Sequence, residues 1–140
     1  MKILADTNVI IDALASRVPW NESAEKIFLM AANNTVEMYI TASSATDIYY
    51  LIRKHLHNTE NARAIMSKLY SLAGILEVTE GDCIEALASP ISDYEDAVVE
   101  RVAARKKMDY IVTRNRKDYL AGSTRSILPD DFVQLVEAKE

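Results

Sequence analysis

The chain has 140 residues, 49% of them hydrophobic and 26% charged. That suits one domain able to bury about two thirds of its unfolded surface, and 3 Gly with 3 Pro exclude a disordered or collagen-like chain and any motif built on several glycines. A formal net charge of -5 excludes a protein that grips nucleic acid through bulk positive charge, but not one that meets it at a local site.

Met1–Ala5 is too short for a signal-peptide core and is broken by Asp6. Its Lys2–Ala5 stretch is the first strand candidate, and Val9-Ile10-Ile11 resumes the apolar run. Asn21 reads as a helix cap, with Ala24, Ile27, Phe28 and Ala31 following at helical spacing. Val36–Thr41 is a second strand candidate, and Ile48 to Leu56 reads as a helix. Asn58 or Thr59 caps the next helix, which carries Ala62, Ile65, Met66 and Leu69 and stops at Gly74. Ile75–Val78 is a third strand and Cys83–Ala88 a short helix ended by Pro90. Ser92 opens a long helix to about Met108, Tyr110–Val112 is a fourth strand, and Phe132–Val136 is expected to be a last strand. Strands alternating with helices imply an α/β fold: a central parallel sheet of four or five strands with helices on both faces. One domain over residues 1–140 is expected, with no internal repeat or linker.

Metal chemistry through cysteine or histidine has little material. Cys83 is alone, and His55 and His57 are the only histidines. No apolar run approaches the ~20 residues of a membrane helix, so a cytoplasmic protein without membrane contact is expected.

The carboxylates carry the signal. Asp6 follows the first strand, Asp47 opens the helix after the second, Asp96 lies early in the helix before the fourth, and Asn115 and Asp118 follow that strand. In a parallel sheet these positions converge beyond the carboxyl ends of the strands. Like charges ~4 Å apart repel by roughly 4 kcal/mol at an effective dielectric of ~20, so such a cluster needs protons or cations. Oxygen-only ligands select Mg²⁺ or Mn²⁺. Each acid also has a plain structural explanation. Asp6 can cap the following helix, and Ser44 with Asp47 has capping-box spacing. Ser92 with Glu95 forms a second such box, and Asp93 suits a helix N-terminus. Asn115 can turn the chain and Asp118 can cap a short turn. Asp96 resists this treatment, because Val99 and Ala103 share its helix face and a carboxylate on a buried face is costly unless paired or metal-bound. Arg114, Arg116 and Lys117 lie near the same rim and can touch phosphates as point contacts. Tyr49, Tyr50, Tyr94, Tyr110 and Tyr119 are expected in the core or half-buried and not as base-stacking platforms.

The segment Ile3-Leu4-Ala5-Asp6-Thr7-Asn8-Val9-Ile10-Ile11-Asp12 resembles the start of PIN-domain proteins. Asp93-Tyr94-Glu95-Asp96-Ala97, then Asp109-Tyr110-Ile111-Val112-Thr113-Arg114-Asn115 and Lys117-Asp118-Tyr119, resemble the family's later acidic segments, in order and over essentially the whole chain. The resemblance implies a single PIN-like nuclease domain and a Mg²⁺- or Mn²⁺-dependent endoribonuclease, with the VapC-type toxins of toxin–antitoxin pairs as the commonest small members. It implies RNA as substrate, and a cognate antitoxin and a homodimer as partners to look for. Asp6 and Asp96 match family acids expected to hold the metal, with Asp47 completing or orienting its shell. Asp47 stands where the family usually has Glu, a reach shorter by roughly 1.5 Å. Asn115 stands where many members have Asp, which leaves Asp118 to supply a fourth catalytic acid. Asn8, Thr113, Arg114, Asn115 and Arg116 are the expected substrate contacts. A receiver domain needs paired acids after the first strand, and a haloacid-dehalogenase phosphatase needs Asp-x-Asp; Asp6-Thr7-Asn8 satisfies neither. The remaining alternative is a PIN-like module that binds RNA or a protein with weakened or no catalysis, distinguished by whether Asp6, Asp47 and Asp96 approach one point.

Overall fold

A computed structural model describes residues Met1–Glu140. The order is β1 (Lys2–Ala5), α1 (Thr7–Leu14), α2 (Asn21–Ala32), β2 (Glu37–Thr41), α3 (Ala42–Leu56), α4 (Thr59–Leu72), β3 (Ala73–Leu76), α5 (Glu80–Ala86), α6 (Tyr94–Arg105), β4 (Tyr110–Val112), a 3₁₀ turn (Arg116–Tyr119), β5 (Ser126–Ile127) and α7 (Pro129–Glu137). The five strands form one sheet in the order β3-β2-β1-β4-β5, every pair parallel.

Alternation along β1 assigns the layers. Ile3 and Ala5 pack into a core with α1, α2, α3, α4 and α7, while Leu4 points the other way into a smaller core with α5 and α6. All three are buried because helices cover both faces, as an all-parallel sheet requires. The chain winds outward from β1 to β2 and β3 on one side and crosses to β4 and β5 on the other. The winding therefore reverses between β1 and β4, the place where open α/β sheets form ligand crevices. Asp6 and Thr113 are the first residues beyond those two strands.

Several boundaries depart from expectation. The segment expected as a final strand, Phe132–Val136, is the middle of α7. Pro129 at its first position, Asp130 and Asp131 in its first turn, and the buried stripe Phe132, Val133 and Val136 are helix signatures that the short apolar run concealed. The last strand is instead the two-residue β5. Helix α3 starts at Ala42, well before Ile48, because the Thr41 hydroxyl accepts the Ser44 N–H as its cap. Ser44 and Asp47 therefore form no capping box. Helix α6 is capped by Asp93, whose carboxylate accepts the Asp96 N–H at 3.0 Å, and not by Ser92. Helix α5 begins at Glu80 through a reciprocal Thr79–Asp82 capping box. Gly74 does not stop α4 but lies inside β3, where a Cβ would come within 2.7 Å of the Tyr39 ring.

Candidate active site

The site starts with Asp6, which caps α1 directly after the end of β1. Its carboxylate accepts the Thr7 N–H at 2.9 Å, the Thr113 hydroxyl at 2.8 Å and the Asn8 amide at 3.2 Å. Its own N–H donates to Val112 O at 2.9 Å, so β1 and β4 are pinned together at their ends. Asn8 completes the stitch: its Oδ1 accepts the Arg114 N–H at 3.2 Å, while the Thr113 hydroxyl accepts the Asn115 N–H at 3.0 Å. Burial pushes the Asp6 carboxyl above its ordinary range, against the hydrogen bonds from Thr113, Thr7 and Tyr119, and the Asp118 charge adds to the rise.

Asp96, in the first turn of α6, faces Asp6. Burial, with the charges of Asp6, Asp93 and Asp118, pushes its carboxyl up to about 6 despite a hydrogen bond from Tyr119. That bond runs from the Tyr119 hydroxyl to Asp96 Oδ1 at 3.1 Å. Burial and the two carboxylates drive the Tyr119 hydroxyl far above its usual acidity range, so it stays protonated and can only donate to them or turn away. The 3₁₀ turn thus places a buried phenol against the acidic pair.

One cleft of about 650 Å³ is lined by Asp6, Asn8, Asp47, Asp96, Asn115 and Asp118 among others. Each of the four acids expected at the site therefore borders this space. Their closeness differs. Asp6, Asp96 and Asp118 act on one another electrostatically, whereas Asp47 is exposed on the cleft wall formed by α3. No three carboxylates are drawn together into a ready cation cage. Thr113 is fully buried beside Asp6, and Asn115 and Arg116 are exposed. The Arg116 Nε donates to Ser126 O at 3.0 Å. The Arg114 guanidinium turns from the cleft to Asp12, with Nε–Oδ2 at 2.6 Å.

Three buried acids lie outside the expected site. Asp12, 1% exposed, holds Arg114 and also pairs with Arg17 at 3.2 Å. Asp82 joins the Thr79 capping box and receives the Arg105 guanidinium, whose hydrogen bonds hold its carboxyl below the ordinary range. Glu100 accepts the Thr124 N–H at 3.1 Å and the Ser123 hydroxyl at 3.2 Å, fixing the loop before β5. All three are structural ties outside the cleft. Asp12 was detectable as the residue one turn after Asn8 on an otherwise apolar helix face. Tyr119 carried no sequence signal beyond its place next to Asp118.

A five-stranded parallel α/β domain with its acids lining a cleft at the switch between its two central strands has its ligand crevice there. The family model of the PIN domain matches residues 2–117, and the chain belongs to the PIN-domain family. No curated protein matches it in sequence. Among solved structures, a toxin–antitoxin complex from Klebsiella pneumoniae is similar at a TM-score of 0.67 and 20% identity, covering 91% of this chain and 97% of that one. VapBC2 from Rickettsia felis, bound to a DNA fragment from its promoter, gives 0.64 and 16%, covering 91% and 98%. VapC20 of Mycobacterium tuberculosis, described as a sarcin–ricin loop cleaving toxin, gives 0.60 and 15%, covering 78% and 86%. At these identities the likeness is one of fold.

Proposed function

We propose that the chain is a divalent-metal-dependent endoribonuclease acting as the cytoplasmic toxin of a toxin–antitoxin pair. The observation that carries this is the Asp6–Asp96 pair at the β1–β4 switch, with both carboxyls raised above their ordinary range. Two like charges held in a shared cleft by hydrogen bonds from Thr113, Thr7 and Tyr119 are an unfavourable arrangement unless a cation or proton joins them. The donors of the pair are all oxygen, which fits a hard cation such as Mg²⁺ or Mn²⁺. Asp6 and Asp96 would hold the ion. Asp118 is the stronger candidate for a further ligand because its charge already bears on both, whereas Asp47 is exposed on the α3 wall of the same cleft. When bound, such an ion supplies positive charge opposite a phosphodiester as negative charge develops on its oxygens.

The chain's own residues do the rest. Thr113 and Asn8 fix the Asp6 carboxylate in one orientation, and Asn8 in turn is fixed by the Arg114 N–H. Tyr119 orients Asp96 and, by staying protonated, adds no further negative charge to the pair. Asn115 and Arg116 are exposed beside the rim, where a phosphate of the bound strand would pass. By analogy with the toxin–antitoxin complexes of similar fold, an antitoxin protein is one proposed partner; a second copy of the chain, which the PIN-domain resemblance implies, is the other. No helix is long and apolar enough to cross a membrane.

A second reading keeps the cleft but not the chemistry. The absence of three converged carboxylates and the outlying, shortened Asp47 favour a PIN module that binds RNA or a protein without cutting. Purified protein incubated with structured and unstructured RNA separates the two. Cleavage with Mn²⁺ that EDTA abolishes supports the nuclease; intact RNA at millimolar Mn²⁺ supports the binding module.

A further inference from the structure

We propose that Trp20 is a stacking platform for one nucleobase of a single-stranded RNA, at an opening linked to the acidic cleft through α1 and the end of β4. The assignment takes its ligand class from the nuclease reading above. Trp20 precedes α2 and is 46% exposed, an unusual position for the largest apolar side chain in the molecule. One side of its ring is already occupied. The Arg114 Cζ lies 4.0 Å from the ring centroid. That guanidinium cannot swing away freely, because Asp12 grips it through Nε at 2.6 Å and Nη2 at 3.2 Å. The indole is therefore braced by a fixed cation and is pre-organised to receive a second flat group.

A cavity of about 260 Å³ opens here, lined by Trp20, Arg114, Leu128, Pro129 and Asp130. It has room for a single base. Its charge argues for a base and against a phosphate. Arg114 and Arg17 share Asp12, and Asp130, which accepts the Ser23 hydroxyl, supplies a second negative charge, so the surroundings of the cavity are close to neutral. Apolar and π surface remains the attractive feature.

The cavity's position ties it to the cleft. Arg114 lines the one and Asn115 the other, and consecutive Cα atoms are about 3.8 Å apart. Along α1, Asn8 touches Asp6 and Asp12 holds the platform's brace, four residues or roughly 6 Å further on. The end of β4 and the length of α1 thus link the two openings.

Trp20 is the chain's only tryptophan, so its fluorescence reports this site alone. The protein is titrated in EDTA with a short oligoadenylate, and separately with inorganic polyphosphate. Saturable quenching by the oligonucleotide, with none by polyphosphate, is expected. Trp20→Ala should weaken oligonucleotide binding, followed by a label on the RNA, about tenfold, and Trp20→Phe should recover most of the loss. In Mn²⁺, Trp20→Ala should raise the KM for RNA cleavage while kcat stays near the parent's. Unquenched fluorescence, or Trp20→Ala binding and cleaving like the parent, overturns the platform while leaving the nuclease intact. Quenching without any cleavage by the parent overturns the nuclease and leaves the platform standing.

Discussion

Replacing Asp96 by Asn should stabilise the metal-free protein at neutral pH, although it alters a residue placed at the centre of the site. The Asp96 carboxyl is pushed up to about 6 from a usual 3.8, chiefly by burial and then by Asp6, Asp93 and Asp118. Between those values the native state holds a proton that the unfolded chain has released. Stability therefore falls as pH rises through that window, and the full penalty is present above about pH 6. Unscreened, the rise is equivalent to ~3 kcal/mol. Asp96 is only half-buried, so solvent screening reduces this to on the order of 1 kcal/mol. The amide introduced by Asp96→Asn keeps an oxygen for the Tyr119 hydroxyl, so that hydrogen bond survives the change. In EDTA at pH 8 the variant should melt about 3–4 °C above the parent, a gap that closes as the pH falls towards 4. Mn²⁺ should then invert the order. An ion at ~100 times its dissociation constant adds about 2.7 kcal/mol to the parent and less to the variant. A variant that melts well below the parent at pH 8 without metal would refute this reasoning, because Asp96 would then be a structural acceptor and not a strained charge.

Three further outcomes rest on other contacts. Arg114→Met leaves the buried Asp12 carboxylate with Arg17 alone and should cost ~3–5 kcal/mol in thermal unfolding, whereas Arg17→Ala, removing a 44% exposed partner, should cost under ~1 kcal/mol; equal losses would contradict the ranking. Asp118→Asn should weaken cleavage at limiting Mn²⁺ without a matching loss of stability, and Asn115→Asp should equal or improve on the parent, because a neutral amide is a poor ligand for a hard cation. Asp82 is held below its ordinary range by Arg105, so its contribution is present above about pH 4 and lost as the pH falls below that. Acid unfolding of Arg105→Met should accordingly show less of this loss than the parent.

The layer order and the acidic rim were legible because they depend on local patterns. Asp6 and Asp96 each sit at a change of element, and the alternation of strands with helices carries the parallel sheet that brings them together. What escaped was set by tertiary contacts. Phe132–Val136 has the length of a buried strand and reveals itself as helix only through Pro129 and the acids after it. Ser44 and Asp47 have capping-box spacing, yet Thr41 takes the cap because β2 runs straight into α3. The pairing of Asp12 with Arg114 spans more than a hundred residues, and no local pattern announces it. The expected phosphate contact from Arg114 is therefore met by a side chain already engaged with a carboxylate and an indole. Tyr119 shows the same limit: an ordinary core tyrosine in the sequence is, in the fold, the donor that steadies Asp96.

The most direct test of the metal-dependent nuclease is RNA cleavage by Asp6→Asn and Asp96→Asn proteins, each shown by circular dichroism to be folded, across a Mn²⁺ series. Both should lose cleavage at every concentration that activates the parent; the amide oxygen in Asp6→Asn can still cap α1, so its loss of activity would not be a loss of fold. Cleavage at the parent's rate by both folded variants would contradict the assignment of this cleft as the site of hydrolysis.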